Sequence, residues 1–266
     1  MSSTFVRANG AVHHVHQDGR ADLPPLVIAN SLGTDLRIWD GVVSALGSTA
    51  RIVRYDMRGH GLTEIGSALY TIPELARDLE AILDALDVRE AVVCGISVGG
   101  LVAMQLADTR RDLVHGLALC DTGYRIGAAE MWNQRIAAVN DRGIAAISAA
   151  VIERWFSQKF RDREPNAVAG YRCMLERTTA EGYAGVCAAI RDADLELVAC
   201  RIECPTLVVC GEEDRATPPA AHRALAKAIA GARLELVRGA GHLPCVEQPA
   251  VVATHVDAFL RSHAYV

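Results

Sequence analysis

Short apolar runs alternate along this chain with longer stretches in which apolar residues return every three or four positions. Runs of four or five residues at 26–29, 51–55, 91–94, 117–120, 206–210 and 234–237 predict buried strands. Between them the period changes. Pro73 suits the first turn of a helix, and Leu75, Leu79, Ile82, Leu83 and Leu86 then fall on one face. Leu101, Met104 and Leu106 belong to a second apolar helix, and Val252, Val256, Phe259 and Leu260 give the last helix a buried stripe. Strand and helix in alternation predict the α/β class: a mostly parallel central sheet with helices on both faces. Residues 5–16 are expected to add an antiparallel edge.

One stretch breaks the rhythm. From 124 to 191 the pattern is helical without a clear strand, and it holds Trp132, Trp155, Phe156, Phe160 and many arginines. It reads as a helical cap inserted over the sheet's C-terminal edge, leaving 1–123 and 192–266 as the core. A chain of 266 residues is long enough for one such domain. The net charge of −5 and the absence of a basic stripe argue against a nucleic-acid partner. Any anionic ligand must therefore be met by local arginines. No segment approaches the ~20 apolar residues of a membrane helix, and Met1–Phe5 lacks a basic and apolar leader pattern. The eight cysteines, several inside apolar runs, suggest small hydrophobes in a reduced, cytoplasmic protein. Cys200 and Cys204 have no second ligand pair at metal-site spacing, so no metal is expected.

The candidate chemistry begins at Gly95-Ile96-Ser97-Val98-Gly99-Gly100, between the strand ending at Cys94 and the helix carrying Leu101. A serine between glycines at a strand–turn–helix junction is held out at the top of a sheet, beside a helix N-terminus that favours a developing oxyanion. Side chains at 95 and 99 would clash where strand and helix backbones meet. In this setting the motif resembles the nucleophile elbow of the α/β-hydrolase fold. That resemblance implies the chain order nucleophile, acid, histidine, with the histidine after the last strand.

His242 meets the requirement. It lies in Gly239-Ala240-Gly241-His242-Leu243-Pro244, directly after 234–237. His60, in the loop after 51–55, is the rival base; His13, His14, His16, His255 and His263 read as surface residues. Asp214, after 206–210, is the expected acid, with Glu213 and Asp121 as alternatives. Its work is to orient the imidazole and stabilise the imidazolium. An oxyanion hole needs two N–H donors. Val98 should give one. Leu32, in Asn30-Ser31-Leu32-Gly33-Thr34 after the first buried strand, should give the other.

Together these segments resemble the 3-oxoadipate enol-lactonases nearly end to end. The resemblance includes Tyr55-Asp56-Met57-Arg58-Gly59-His60-Gly61, the run from Gly241 to Pro249, and the cap segments 130–135 and 182–187. Asn30-Ser31, where most α/β-hydrolases have His-Gly, also matches that family. The resemblance implies serine-based hydrolysis of a small anionic lactone without metal or organic cofactor. The substrate's free carboxylate needs a charged partner. Arg135 is the candidate, with Trp132 covering the apolar face; the alternative is a solvated Arg135 and a core-packing Trp132. A general carboxylesterase, a cofactor-free perhydrolase with the same triad, or a ligand receptor on this scaffold remain as rival readings.

Overall fold

In the computed structural model, which describes residues 2–47, 49–66 and 70–264, the apolar runs pair into one sheet. Its strands are β1 (Ser2–Ala8), β2 (Ala11–Gly19), β3 (Pro25–Ala29), β4 (Arg51–Tyr55), β5 (Ala91–Ile96), β6 (Val114–Cys120), β7 (Thr206–Gly211) and β8 (Arg233–Val237). Their spatial order is β1-β2-β4-β3-β5-β6-β7-β8. From β4 to β8 all neighbours are parallel, while β1–β2 and β2–β4 are antiparallel, as expected of the opening residues. Every residue of β5 and of β7 is buried, whereas β8 at the edge is mostly part-exposed. Continuous apolar runs are required where helices cover both faces.

The helices of the core are α1 (Asp40–Leu46), α2 (Ile72–Ala85) and α3 (Val98–Thr109). Between β6 and β7 come α4 (Ala129–Arg142), α5 (Ala145–Trp155), α6 (Gln158–Arg163), α7 (Pro165–Glu176), α8 (Ala180–Arg191) and α9 (Glu196–Ala199). The chain then adds α10 (Pro219–Ala228), α11 (Pro244–Glu247) and α12 (Pro249–Phe259). In α2, the Thr71 hydroxyl accepts the Glu74 N–H and Pro73 sits in the first turn; Leu75, Leu79, Ile82 and Leu83 are buried. None of the described helices is long and apolar enough to cross a membrane.

This topology positions the site. The chain runs from β3 outward to β4, then returns to the other side of β3 as β5. Loops leaving β3 and β5 therefore diverge and open a crevice between them, the usual ligand position in an open parallel sheet. The loop carrying Ser31 and Leu32 leaves β3, and Ser97 leaves β5. Asp121, Asp214 and His242 follow β6, β7 and β8 at the same end.

Close approach of backbones at that crevice dictates glycine. A Cβ on Gly95 would lie 2.2 Å from Gly99 O, and one on Gly99 would lie 2.5 Å from Ala29 O and 2.7 Å from Asn30 O. These are main-chain atoms that cannot step aside. Gly99→Ala is expected to cost about 3 kcal/mol in urea unfolding, by forcing α3 away from β3. The control is Gly170→Ala in α7, where an added Cβ meets nothing within 4 Å. That change should be neutral or stabilise by up to about 1 kcal/mol.

Candidate active site

Ser97 sits in a strained turn, φ 56° and ψ −118°, with its side chain at the mouth of α3. Its main chain is pinned from both sides. The Ser97 N–H donates to Cys120 O at 3.0 Å, and the Thr122 hydroxyl donates to Ser97 O at 2.7 Å. Strain of this kind persists only when the surroundings over-determine it, and here β6 and the residue pair after it do so. Val98 is the first residue of α3, so its N–H has no acceptor one turn back. On the facing loop, the Asn30 amide donates to Tyr55 O at 2.7 Å and the Thr34 hydroxyl to Ser31 O at 2.8 Å. These bonds hold the Leu32 segment against the end of β4.

His242 and Asp214 are both buried, and His242 Nδ1 lies 2.9 Å from Asp214 Oδ2. Asp214 is further held by Thr217, whose hydroxyl donates to Oδ2 at 2.6 Å, and by the Ala216 and Thr217 N–H groups on Oδ1 at 2.7 and 3.0 Å. Burial by itself would raise the Asp214 carboxyl. The His242 charge, its hydrogen bond and the Thr217 donors outweigh burial and bring the carboxyl down to about 2. Asp214 is thus an anion, and its Oδ2 faces Nδ1 of His242.

Ser97 and His242 line one cavity together with Ser31, Leu32, Trp132, Arg135, Arg154, Trp155 and Tyr183. Trp132 and Arg135, the residues expected to contact substrate, line it, and so does Leu32 of the expected oxyanion pair, whereas Val98 does not. Its volume is 40 Å³, far below the ~300 Å³ at the lower end of ligand pockets, so the space beside the serine is narrow. Trp132 is buried, donates its indole N–H to Ile126 O at 2.7 Å, and carries the Arg135 guanidinium over its ring at 4.9 Å.

The rivals lie elsewhere or in another state. His60 is buried with Nδ1 on Arg58 O at 3.1 Å; burial pulls its pKa below the ordinary value, and it does not line the cavity. Glu213 is exposed. Asp121 is close: its carboxyl, the Asp214 carboxyl and the His242 ring have ligand atoms within 4.8 Å of one another. Burial, then the Asp214 charge, push the Asp121 carboxyl well above the usual range, against one hydrogen bond from Gly211 N–H at 2.8 Å. The two neighbouring acids are thus moved in opposite directions, and the one with fewer donors is the one pushed up.

Two expectations about histidine need correction. His13 and His14 are buried, not on the surface. His14 bridges Ser3 Oγ at 2.7 Å and Asp56 Oδ2 at 2.8 Å, and His13 lies 3.9 Å from Asp78. As consecutive residues of β2 they face opposite sides, His13 toward Asp78 of α2 and His14 toward Asp56, and both are covered, which an edge assignment did not anticipate. The His263 side chain lies outside the described residues. Cys200 is exposed and Cys204 half-buried, and neither belongs to a metal-sized cluster among the described residues.

Sequence reasoning missed Arg154, Thr217 and the buried Glu247. The spacing Asp214-x-x-Thr217 after a strand was the available signal for the second, since a short polar side chain there closes a local turn. Arg154 had no signal: its place depends on how α5 crosses the sheet edge.

Residues 24–249 match the α/β-hydrolase fold family. Over 261 residues the chain is 34% identical to 3-oxoadipate enol-lactonase 1 of Acinetobacter baylyi, covering 98% of this chain and 97% of that protein. It is also 34% identical to 3-oxoadipate enol-lactonase 2 of the same organism, over 91% of each chain. The crystal structure of the enol-lactonase from Burkholderia xenovorans superposes with a TM-score of 0.95 at 39% identity, covering 97% of this chain and all of that one. With this sheet, this elbow and relatives that match from end to end, the chain belongs to the α/β-hydrolase family and, within it, to the 3-oxoadipate enol-lactonase group of carboxylic-ester hydrolases.

Proposed function

We propose that this protein hydrolyses 3-oxoadipate enol-lactone to 3-oxoadipate through a Ser97 acyl-enzyme, with residues 124–191 acting as a cap that selects the substrate. Ser97 Oγ attacks the lactone carbonyl as His242 Nε2 takes its proton, and Asp214 stabilises the imidazolium. The oxyanion is received by the N–H groups of Leu32 and Val98. Collapse breaks the ring C–O bond, and the departing enol oxygen takes the proton back from His242. Water, deprotonated by the same imidazole, then releases the acyl group. The free enol tautomerises to the ketone.

The observation that carries the substrate choice is a pair of cations above the serine. Arg135 and Arg154 line the same cavity, and among the described residues neither has a carboxylate partner. Burial, then the facing Arg135 charge, pull the Arg154 guanidinium below its ordinary pKa. The buried Tyr183 hydroxyl on the same wall lies beside Arg135, whose charge and hydrogen bond pull against the burial that raises it. Two like charges on one wall are relieved together by one carboxylate. The enol-lactone brings one on its acetate arm; a neutral ester does not.

Arg135→Ala and Arg154→Ala are each expected to lower kcat/KM on the anionic lactone by about 10- to 100-fold, the worth of a charged hydrogen bond. A neutral aryl ester should lose less than about 3-fold. The assay is the fall in ultraviolet absorbance of freshly made enol-lactone. Equal losses on both substrates would remove the arginines from recognition, and a wild-type preference for the neutral ester would replace the lactonase reading with a general esterase.

A further inference from the structure

Among the buried carboxylates that the scheme above does not use, one is tied to the histidine loop. Glu247, the last residue of α11, is 8% exposed. Its Oε1 accepts two main-chain donors, Gly241 N–H and Ser157 N–H, each at 2.9 Å, and its Oε2 accepts the Ser157 hydroxyl at 2.5 Å. Gly241 immediately precedes His242. Ser157 lies between α5 and α6, two residues past Trp155 of the cavity wall, and its hydroxyl also accepts the Phe160 N–H at 3.2 Å. A second strut runs beside the first: Leu243 N–H donates to Trp155 O at 3.1 Å. Both neighbours of His242 are therefore tied to the cap, one through Glu247 and one directly.

The contact is too tight to be incidental packing. A Cβ on Gly241 would lie 2.8 Å from Ser157 N, 2.9 Å from Glu247 Oε1 and 2.9 Å from Trp155 O. Burial pushes the Glu247 carboxyl up, the Ser157 and Gly241 donors pull it back, and the Glu213 charge adds to the upward push. A carboxylate left in so dry a place costs free energy unless its donors stay in place.

We propose that Glu247 is a positioning residue that couples the cap to the histidine loop, so that the imidazole reaches its working place only when the cavity wall at Trp155 is seated. This rests on His242 being the base. The narrow cavity supports it: Trp155 forms part of its wall, and the loop bearing His242 is fastened to that wall.

Glu247→Gln keeps Oε1 as acceptor for both N–H groups and turns Oε2 into a donor that the Ser157 oxygen can accept. Glu247→Ala removes all three bonds. Expected for Glu247→Ala is a 10- to 100-fold loss of kcat per active site on both the lactone and a neutral ester, since misplacement near 1 Å costs about that much. The acid limb of its kcat/KM profile should shift, and KM should change less than kcat. Glu247→Gln should return kcat to within about 3-fold of wild type with the limb restored. Active sites are counted by the burst of a chromogenic ester, so a variant that merely folds poorly shows fewer sites at normal kcat. That outcome, an unmoved acid limb in Glu247→Ala, or Gln no better than Ala would overturn the proposal. His242→Ala is the separate control: if it keeps its activity, the assignment of the base fails instead.

Discussion

Ser97→Ala is expected to lower kcat on the enol-lactone by about 10⁵-fold, with KM nearly unchanged. The size follows from what the hydroxyl does. Without it no acyl-enzyme forms, and only the oxyanion donors and binding remain, which together leave roughly 10³–10⁴ over the uncatalysed rate in a serine protease with this logic. KM should hold because the main-chain bonds of residue 97, to Cys120 and from Thr122, do not use the side chain. Alanine must adopt the same positive φ that serine already tolerates, so little extra strain is added. His242→Ala should fall by a comparable factor, and the double variant should be no worse than either single one, because the two groups act as a unit. Steady-state loss of lactone absorbance reads all three. Activity of Ser97→Ala within ten-fold of wild type would end the nucleophile assignment. Full additivity of the two losses would mean that the groups work in separate steps.

The sheet was legible in the sequence because its central strands are buried on both faces and therefore read as unbroken apolar runs: each predicted run from 91–94 to 206–210 falls inside an observed strand. The functional loops were legible for a related reason. A parallel sheet puts every strand's C-terminal end on one side, so residues just after strands, Leu32, Ser97, Asp214 and His242, become neighbours from chain order alone. What escaped depends on how elements lie over one another. His13 and His14 face opposite sides of β2, and both are covered because α2 lies against one and the 56–64 loop against the other. The facing of Arg154 and Arg135 comes from two different helices, α5 and α4. No local pattern specifies that crossing. Glu247 belongs to a segment that was noticed only as part of a resemblance, and its partners at 157 and 241 sit in two other loops.

Asp214→Asn and Asp121→Asn give the sharpest contrast between neighbouring positions, because the two carboxyls crowd the same imidazole while their pKa values move in opposite directions. Asp214 is brought down to about 2, whereas burial, then the Asp214 charge, push the Asp121 carboxyl well above the usual range. Asparagine at 214 offers an amide that can donate where a carboxylate only accepted. The imidazole then turns to its other tautomer and presents N–H, not a lone pair, to Ser97; in a serine protease the corresponding change costs about 10⁴-fold in kcat. A loss of that order is expected here. At 121 the wild-type carboxyl is pushed toward its neutral form, so an amide of the same shape is the smaller electrostatic change, and less than a ten-fold effect is expected. The sign of the pH dependence follows too. A carboxyl depressed to about 2 in the folded protein lends stability that is complete above its unfolded pKa near 4 and disappears as pH falls toward 2. Removing the Asp214 charge should therefore flatten the acid-unfolding curve between about pH 4 and 2. Asp121 behaves oppositely: folding raises its pKa, so its carboxyl stabilises the fold fully below about pH 4, and that contribution declines as pH rises above its unfolded value. Asp121→Asn should make the protein relatively more stable at neutral and higher pH than at pH 3, while Asp214→Asn does the reverse. Urea midpoints for both variants from about pH 2 to 9, beside kcat for each, check the assignment. A large kcat loss at 121 with a small one at 214 would move the acid of the triad to the end of β6.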